Sequence, residues 1–436
     1  MIPTGWLRHR ARTHAETIAV RDRAGASLTF AELYHVAARA APAAAALRPS
    51  LAIEREPGIG HAIAMNAAML AGVPFVTLRP GLPPPERRRL LDAVPSTRVL
   101  EAGDPPAGDP AWDGPDPAPG ETLCHVLTSG TSGARRPVAL TYENHFCSAG
   151  ASALTLGVRS DDVWLCCLPV DHVGGLNVLI RSLIYGTTAV VHSEFDTDAV
   201  ASELEGGATL VSLVPTQLAR LLEAGARIDL PRLILLGGAD APRALIERAE
   251  AAGARIAQTY GSTEACSQIA TLGLADRGRK RGSVGRPLPG TLVEFADGEL
   301  VVSGPTISPG AAGPDGRLRT GDRGRIDSEG FLWVEGRIDD VIVSGGENVA
   351  PQEVEAALAA HDAVADVAVF GRPDPEWGEA VCAAVVLAAG VEAPAASELE
   401  AHCRDRLAAH MVPKAIEVVE ELPRTATGKL RRRALR

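Results

Sequence analysis

Six consecutive residues, Thr128-Ser129-Gly130-Thr131-Ser132-Gly133, place four hydroxyls and two glycines directly behind the apolar run at 123–127. Glycine lets a backbone approach a polyanion closely, and N–H groups and hydroxyls supply donors, so this loop suits a phosphate chain. Near the other end, Thr427-Gly428-Lys429 sets a lysine on a glycine-bearing turn. Such a point charge can be brought to a carboxylate or phosphate when needed. Between them lies Tyr260-Gly261-Ser262-Thr263-Glu264, with a flat ring face for a base, a hydroxyl, and a carboxylate for Mg²⁺, which prefers hard oxygen ligands. Arg319-Thr320-Gly321-Asp322 and Gly336-Arg337-Ile338-Asp339-Asp340 follow. There a carboxylate can accept from both hydroxyls of a ribose, and a guanidinium can pair with a phosphate or ribose oxygen.

Each piece alone has a plainer reading. The loop is equally a Ser/Gly turn, and it lacks Walker A spacing. The lysine is equally part of a solvated basic tail. Ser262 or Thr263 could cap a helix, and the two acidic pieces could be surface turns.

The elements that must position these residues are legible in outline. Residues 28–47 read as a helix capped by Thr29, with Glu32 three positions on. Residues 101–120, with six prolines and four glycines, read as a surface connection. Strands are expected at 162–169, 210–215 and 233–236, with helices at 216–224 and 242–252. Short apolar strands that end in Gly, Ser or Thr and lead into helices indicate a parallel sheet buried on both faces, with ligands at the strands' carboxyl ends. From about 282 the texture turns to β segments (283–289, 292–295, 299–303, 331–334). Beyond 336 a compact α+β unit is expected, with helices 351–360 and 398–410 and strands 364–370, 381–387 and 415–419.

The chain has 436 residues and a formal charge of −11, which argues against general nucleic-acid affinity. Seven cysteines follow no metal or redox spacing and read as buried thiols of a reducing compartment. The amino terminus has no signal-like apolar stretch, and the longest uncharged apolar run, 380–391, is about half of a spanning helix. The expectation is a soluble, cytoplasmic protein.

Taken in order and with Gly237-Gly238-Ala239 between them, these pieces resemble the acyl-adenylate-forming superfamily of acyl-CoA synthetases, adenylation domains and luciferases, over nearly the whole chain. The resemblance implies an α/β fold: a large N-terminal domain (1–338) of stacked α/β layers with a β-rich portion, and a small mobile α+β domain (339–436). It also implies an ATP-dependent acid–CoA ligase with Mg²⁺. In such enzymes Thr128, Ser129, Gly130, Thr131, Ser132, Gly133 and Arg136 would hold phosphates, and Gly238, Ala239 and Tyr260 would frame adenine. Thr263 and Glu264 would serve phosphate and metal, and Asp322 and Arg337 the ribose. Lys429 would bridge carboxylate and phosphate, Asp339 would be the hinge, and Ser344, Gly345 and Gly346 would line the pantetheine tunnel. The family loop usually continues Gly-x-Pro-Lys-Gly; here it reads Gly133-Ala134-Arg135-Arg136-Pro137, with Arg136 keeping the charge.

Within the superfamily, Tyr142-Glu143-Asn144-His145, the run at 164–176 and Arg181 resemble the o-succinylbenzoate–CoA ligases of menaquinone biosynthesis. That implies His172 at the reacting carboxylate, Ser262 in the acyl pocket, and Arg181 on the acid's second carboxylate. Read on residue type alone, His172 is also a satisfied strand-end histidine and Arg181 a surface ion-pair residue. Asp171 stands where the family commonly has an aromatic. The partners expected are a carboxylic acid, ATP and CoA, without nucleic acid or membrane insertion and with room for a homodimer. Another aryl- or acyl-CoA ligase, or a non-catalytic nucleotide-binding homologue, are the alternatives.

Overall fold

The computed structural model describes residues 2–94, 97–100, 112–129, 135–388, 390–425 and 430–435. The chain forms two compact units: residues 1–237, 243–293 and 302–318, and residues 238–242, 294–301 and 319–436. The 338/339 division expected from sequence lies inside the second.

The first unit holds two α/β sheets. One runs, in spatial order, Thr97–Leu100, Ser50–Glu54, Phe75–Leu78, Thr122–Ser129, Arg135–Thr141. It is parallel except for its last, antiparallel strand. The other runs Arg286–Pro287, Ser267–Leu272, Ile256–Ser262, Leu233–Leu236, Leu210–Leu213, Val163–Cys166, Thr188–Val191, Ile18–Asp22, Ser27–Thr29. Its inner strands are parallel and its edge pairs antiparallel. Leu233, Ile234, Leu235 and Leu236 are all buried, as a strand covered by helices on both faces requires. The Phe30–Ala45 helix starts at Thr29 with a capping box: Thr29 Oγ1 accepts from Glu32 N while Thr29 N donates to the Glu32 carboxylate. Of the β expected at 283–289 only Arg286–Pro287 forms, because prolines remove ladder donors. Gly285, at φ +91°, also lies so close to the Thr271 backbone that a Cβ would overlap it.

The second unit contains most of a four-stranded sheet, Leu292–Ala296, Glu299–Ser303, Leu318–Ile326, Leu332–Arg337. It also contains a five-stranded sheet of Glu347–Val349, Ile342–Ser344, Gly378–Leu387 and Val364–Asp374, with Ala415–Val418 parallel to Gly378–Leu387. The helix Pro351–Ala359 forms as expected. The one expected at 398–410 is Ala396–Arg404, followed by a 3₁₀ turn at Ala409–Met411. Met411 and Val412 are drawn into the unit's core, which pulls the chain out of the helix path. No helix among the described residues is long and apolar enough to cross a membrane. Six of the seven free cysteines are buried and Cys147 is half-buried.

Candidate active site

In the first unit the strand expected behind the apolar run at 123–127 is Thr122–Ser129, so Thr128 and Ser129, expected in the loop, belong to the strand, and Arg135–Thr141 returns antiparallel with Thr128 opposite Arg136. Thr128 Oγ1 donates to the Arg136 carbonyl at 3.3 Å. Gly130, Thr131, Ser132, Gly133 and Ala134 lie outside the described residues. Pro137, which departs from the family loop, sits in the edge strand of its sheet, where a missing N–H costs least. Arg136 is exposed beside it.

Tyr260 to Glu264 form the end of one strand and the turn to the next, rather than a helix cap. Gly261 and Gln268 are register partners across a bulge. A Cβ on Gly261 would stand 1.6 Å from the Ser267 carbonyl oxygen, so only glycine fits. Ser262 Oγ accepts from Ala265 N at 3.3 Å, and Cys266 N donates to the Thr263 carbonyl at 3.0 Å. Cys266 and Ser267 take φ of 53° and 99°, a conformation non-glycine residues adopt only when their surroundings impose it. Glu264 is half-buried, and its backbone carbonyl accepts from Ser308 N. Its carboxylate has no protein partner among the described residues. That fits Mg²⁺, which takes one or two carboxylates and keeps waters and substrate phosphates as its other ligands. Gly261→Ala is expected to lower acid-dependent ATP–pyrophosphate exchange by about 100-fold and stability by about 1–3 kcal/mol. Exchange at the unaltered rate would remove the hairpin from the site.

His172 is not at a strand end. It is the residue preceding the helix Val173–Tyr185, with φ −113° and ψ 148°, and it accepts from Leu176 N at 3.0 Å. Gly175 lets this helix seat against the chain entering it, since a Cβ there would meet the Leu168 and Pro169 carbonyls at 2.6 and 2.4 Å. Asp171, only 8% exposed at its side chain, pairs with Arg79 Nε at 3.0 Å.

Arg181 lies on the same helix, 2% exposed, and is no surface ion-pair residue. Its Nη2 donates to Ser148 Oγ at 3.3 Å, and its guanidinium carbon stands 5.8 Å from the Trp164 ring centroid. No carboxylate pairs with it among the described residues, and Nε has no hydrogen-bond partner. Burial pulls its pKa down, with Tyr185 and Cys266 opposing. Ser148, missed in the sequence, also donates to the Cys266 carbonyl at 2.9 Å. Next to it His145, brought down to about 4 by burial, donates from Nδ1 to Asn177 Oδ1 at 2.8 Å, and Asn177 Nδ2 donates to the same carbonyl at 3.0 Å. A neutral, fully bonded scaffold thus supports the turn after Glu264.

In the second unit, Asp322 and Arg337 are direct cross-strand partners. Arg337 Nη1 donates to Asp322 Oδ1 at 3.3 Å and to the Thr320 carbonyl at 2.6 Å. Gly321, at φ +73°, leaves the space that Arg337 fills, for a Cβ there would stand 2.6 Å from Nη2. Gly238, φ +82°, and Ala239 also belong to this unit. Asp339, 65% exposed, occupies the 3₁₀ turn Ile338–Asp340. Gly345 and Gly346, φ 61° and 84°, are the two-residue turn of a hairpin in which Ser344 faces Glu347. Ser344 is fully buried. Lys429 lies outside the described residues.

The AMP-binding enzyme family matches residues 7–311, and the AMP-binding enzyme C-terminal domain matches 353–429. A 2-succinylbenzoate–CoA ligase of Bacillus velezensis is 37% identical, covering 99% of this chain and 97% of that protein. The o-succinylbenzoate CoA synthetase of Bacillus subtilis, solved with its acyl-adenylate intermediate OSB-AMP, superposes with a TM-score of 0.87 at 34% identity, over 100% of this chain and 98% of that one. The same enzyme with ATP and a magnesium ion gives 0.87 at 34%, over 99% of each. The chain belongs to the AMP-binding, acyl-adenylate-forming enzyme family.

Proposed function

We propose that this enzyme is an ATP-dependent acid–CoA ligase acting on o-succinylbenzoate. A carboxylate oxygen attacks the α-phosphorus of ATP and expels pyrophosphate. The thiol of CoA then loses its proton to solvent and attacks the acyl carbon as the thiolate, and AMP leaves with the electrons of the acyl–oxygen bond. Tyr260, Thr263 and Glu264 serve adenine, phosphate and Mg²⁺; Gly238 and Ala239 border adenine; Asp322 and Arg337 hold ribose. Thr128, Ser129, Gly130, Thr131, Ser132, Gly133 and Arg136 hold the pyrophosphate end. His172 and Ser262 face the reacting acid, Ser344, Gly345 and Gly346 the pantetheine arm. Asp339 is the hinge of a lid that begins there and carries Lys429, a reading supported by the C-terminal family match at 353–429.

The observation that carries the choice of acid is Arg181, a buried guanidinium with no carboxylate partner among the described residues. A second carboxylate on the substrate supplies what the protein lacks. The compartment proposed is the cytoplasm, and a homodimer is the assembly to test by light scattering.

A panel of acids, assayed for CoA-dependent pyrophosphate release, tests the proposal. o-Succinylbenzoate should exceed benzoate and octanoate in kcat/KM by at least about tenfold. The reverse order would overturn it in favour of another aryl- or acyl-CoA ligase. That second reading draws on Asp171, whose carboxylate turns to Arg79 where an aromatic wall is common.

A further inference from the structure

The chain on either side of Lys429 is tied down at several described points, all within the second unit. Leu430 bridges antiparallel to Arg424, and Arg431 N donates to the Pro423 carbonyl at 2.8 Å. Leu422, Leu430 and Leu435 pack on Ala368, Phe370 and Cys382. Arg424 Nη2 pairs with Asp366 Oδ2 at 2.7 Å.

Arg432 is held more completely. Its Nη2 donates to both Glu355 oxygens at 2.8 and 2.9 Å, its Nη1 to Asp340 Oδ2 at 3.1 Å, and its Nε to the Val369 carbonyl at 3.1 Å. The side chains of Arg432 and Glu355 are only 15% and 16% exposed. Burial pushes the Glu355 carboxyl up, and Arg432 opposes that shift. Glu355 sits on the helix Pro351–Ala359, and Asp340 in the 3₁₀ turn that contains Asp339.

We propose that Arg432 is a positioning residue for adenylation, fixing the segment that carries Lys429 to the helix Pro351–Ala359 and to the turn of the hinge. The inference rests on the roles given above to Lys429 and Asp339. Arg432 lies three positions beyond Lys429, at most about 10 Å of extended chain. A displaced anchor therefore reaches the lysine with little attenuation. Arg432 gathers two carboxylates, from positions 340 and 355, so one side chain ties this segment to both elements, and a planar fork is what allows both. Lysine at 432 keeps the charge and loses the fork.

The two half-reactions are measured separately in the full chain with o-succinylbenzoate, or with the acid the panel selects. Acid-dependent ATP–pyrophosphate exchange reports adenylation, and CoA thioester formation from synthetic acyl-adenylate reports the second step. Arg432→Lys should lower exchange by about 10- to 100-fold, with thioester formation changed by less than about threefold. Arg432→Ala should show the same split with a larger loss; should it fail to fold, Arg432→Lys carries the test. Exchange at the unaltered rate in Arg432→Lys, or both half-reactions falling together, would overturn the inference. Lys429→Ala is run alongside. Exchange lost there but retained in Arg432→Lys overturns the anchoring role alone. Exchange retained in Lys429→Ala overturns the lysine's role, and the anchoring role with it.

Discussion

Replacing Lys429 with alanine is expected to stop adenylation while leaving thioester formation from preformed acyl-adenylate nearly intact. In the first half-reaction an anionic carboxylate approaches an anionic phosphate, and negative charge accumulates between them. A cation placed there acts most strongly in the transition state, because that is where the charges are closest. Loss of one such group typically costs about 100- to 1,000-fold in rate. The second half-reaction starts from an acyl carbon already joined to AMP; the thiolate attacks that carbon rather than the phosphorus, and the charge that develops is carried off on the departing AMP. Lys429→Arg should rescue poorly, since a planar fork does not replace a compact ammonium at a bridging position. Exchange and thioester assays on the same preparations decide the matter. Equal loss in both would show that the residue supports the lid rather than the chemistry.

The sequence carried the local signals faithfully and the pairings hardly at all. The Thr29–Glu32 capping box, the buried strand Leu233–Leu236 and the strand over the apolar run at 123–127 are written in adjacent residues, so each is legible. Asp322 and Arg337 stand in two separate stretches of the sequence. That they face one another depends on strand register, and a bulge at Arg323 and Gly324 sets it. Gly345 and Gly346 show the opposite difficulty. Their positive φ serves a hairpin turn, a demand that a glycine pair meets equally well beside a ligand. Ser148 carries no sequence signal and Arg432 reads as part of a solvated basic tail, because their partners lie 33 and 77 residues away, beyond any spacing rule. The plainer reading of His172 as a strand-end histidine fails for a similar reason. The chain turns after Cys166 and closes against Gly175, a contact made through backbone atoms rather than side-chain type.

Arg181→Leu is expected to raise KM for o-succinylbenzoate by about 10- to 100-fold while leaving a monocarboxylic acid nearly unaffected. A hydrogen bond to a charged group contributes about 1.5–3 kcal/mol, which is the size of that change. The same substitution should make the ligand-free enzyme more stable, by about 1–2 kcal/mol. Removing a guanidinium from water costs several kcal/mol. Here the compensation on view is one hydroxyl contact at 3.3 Å and a ring at 5.8 Å, together about 1–2 kcal/mol. The free protein therefore carries an unmatched cost that an anionic ligand relieves, and leucine removes the cost and the relief together. Thermal unfolding without and with the diacid reads both terms. The unaltered protein should gain more stability from the diacid than the variant does, since a ligand stabilises in proportion to its affinity. A lower melting temperature for the variant, with KM unchanged for both acids, would make Arg181 a packing residue held by Trp164 and Ser148. In that case the acid's second carboxylate must be recognised elsewhere.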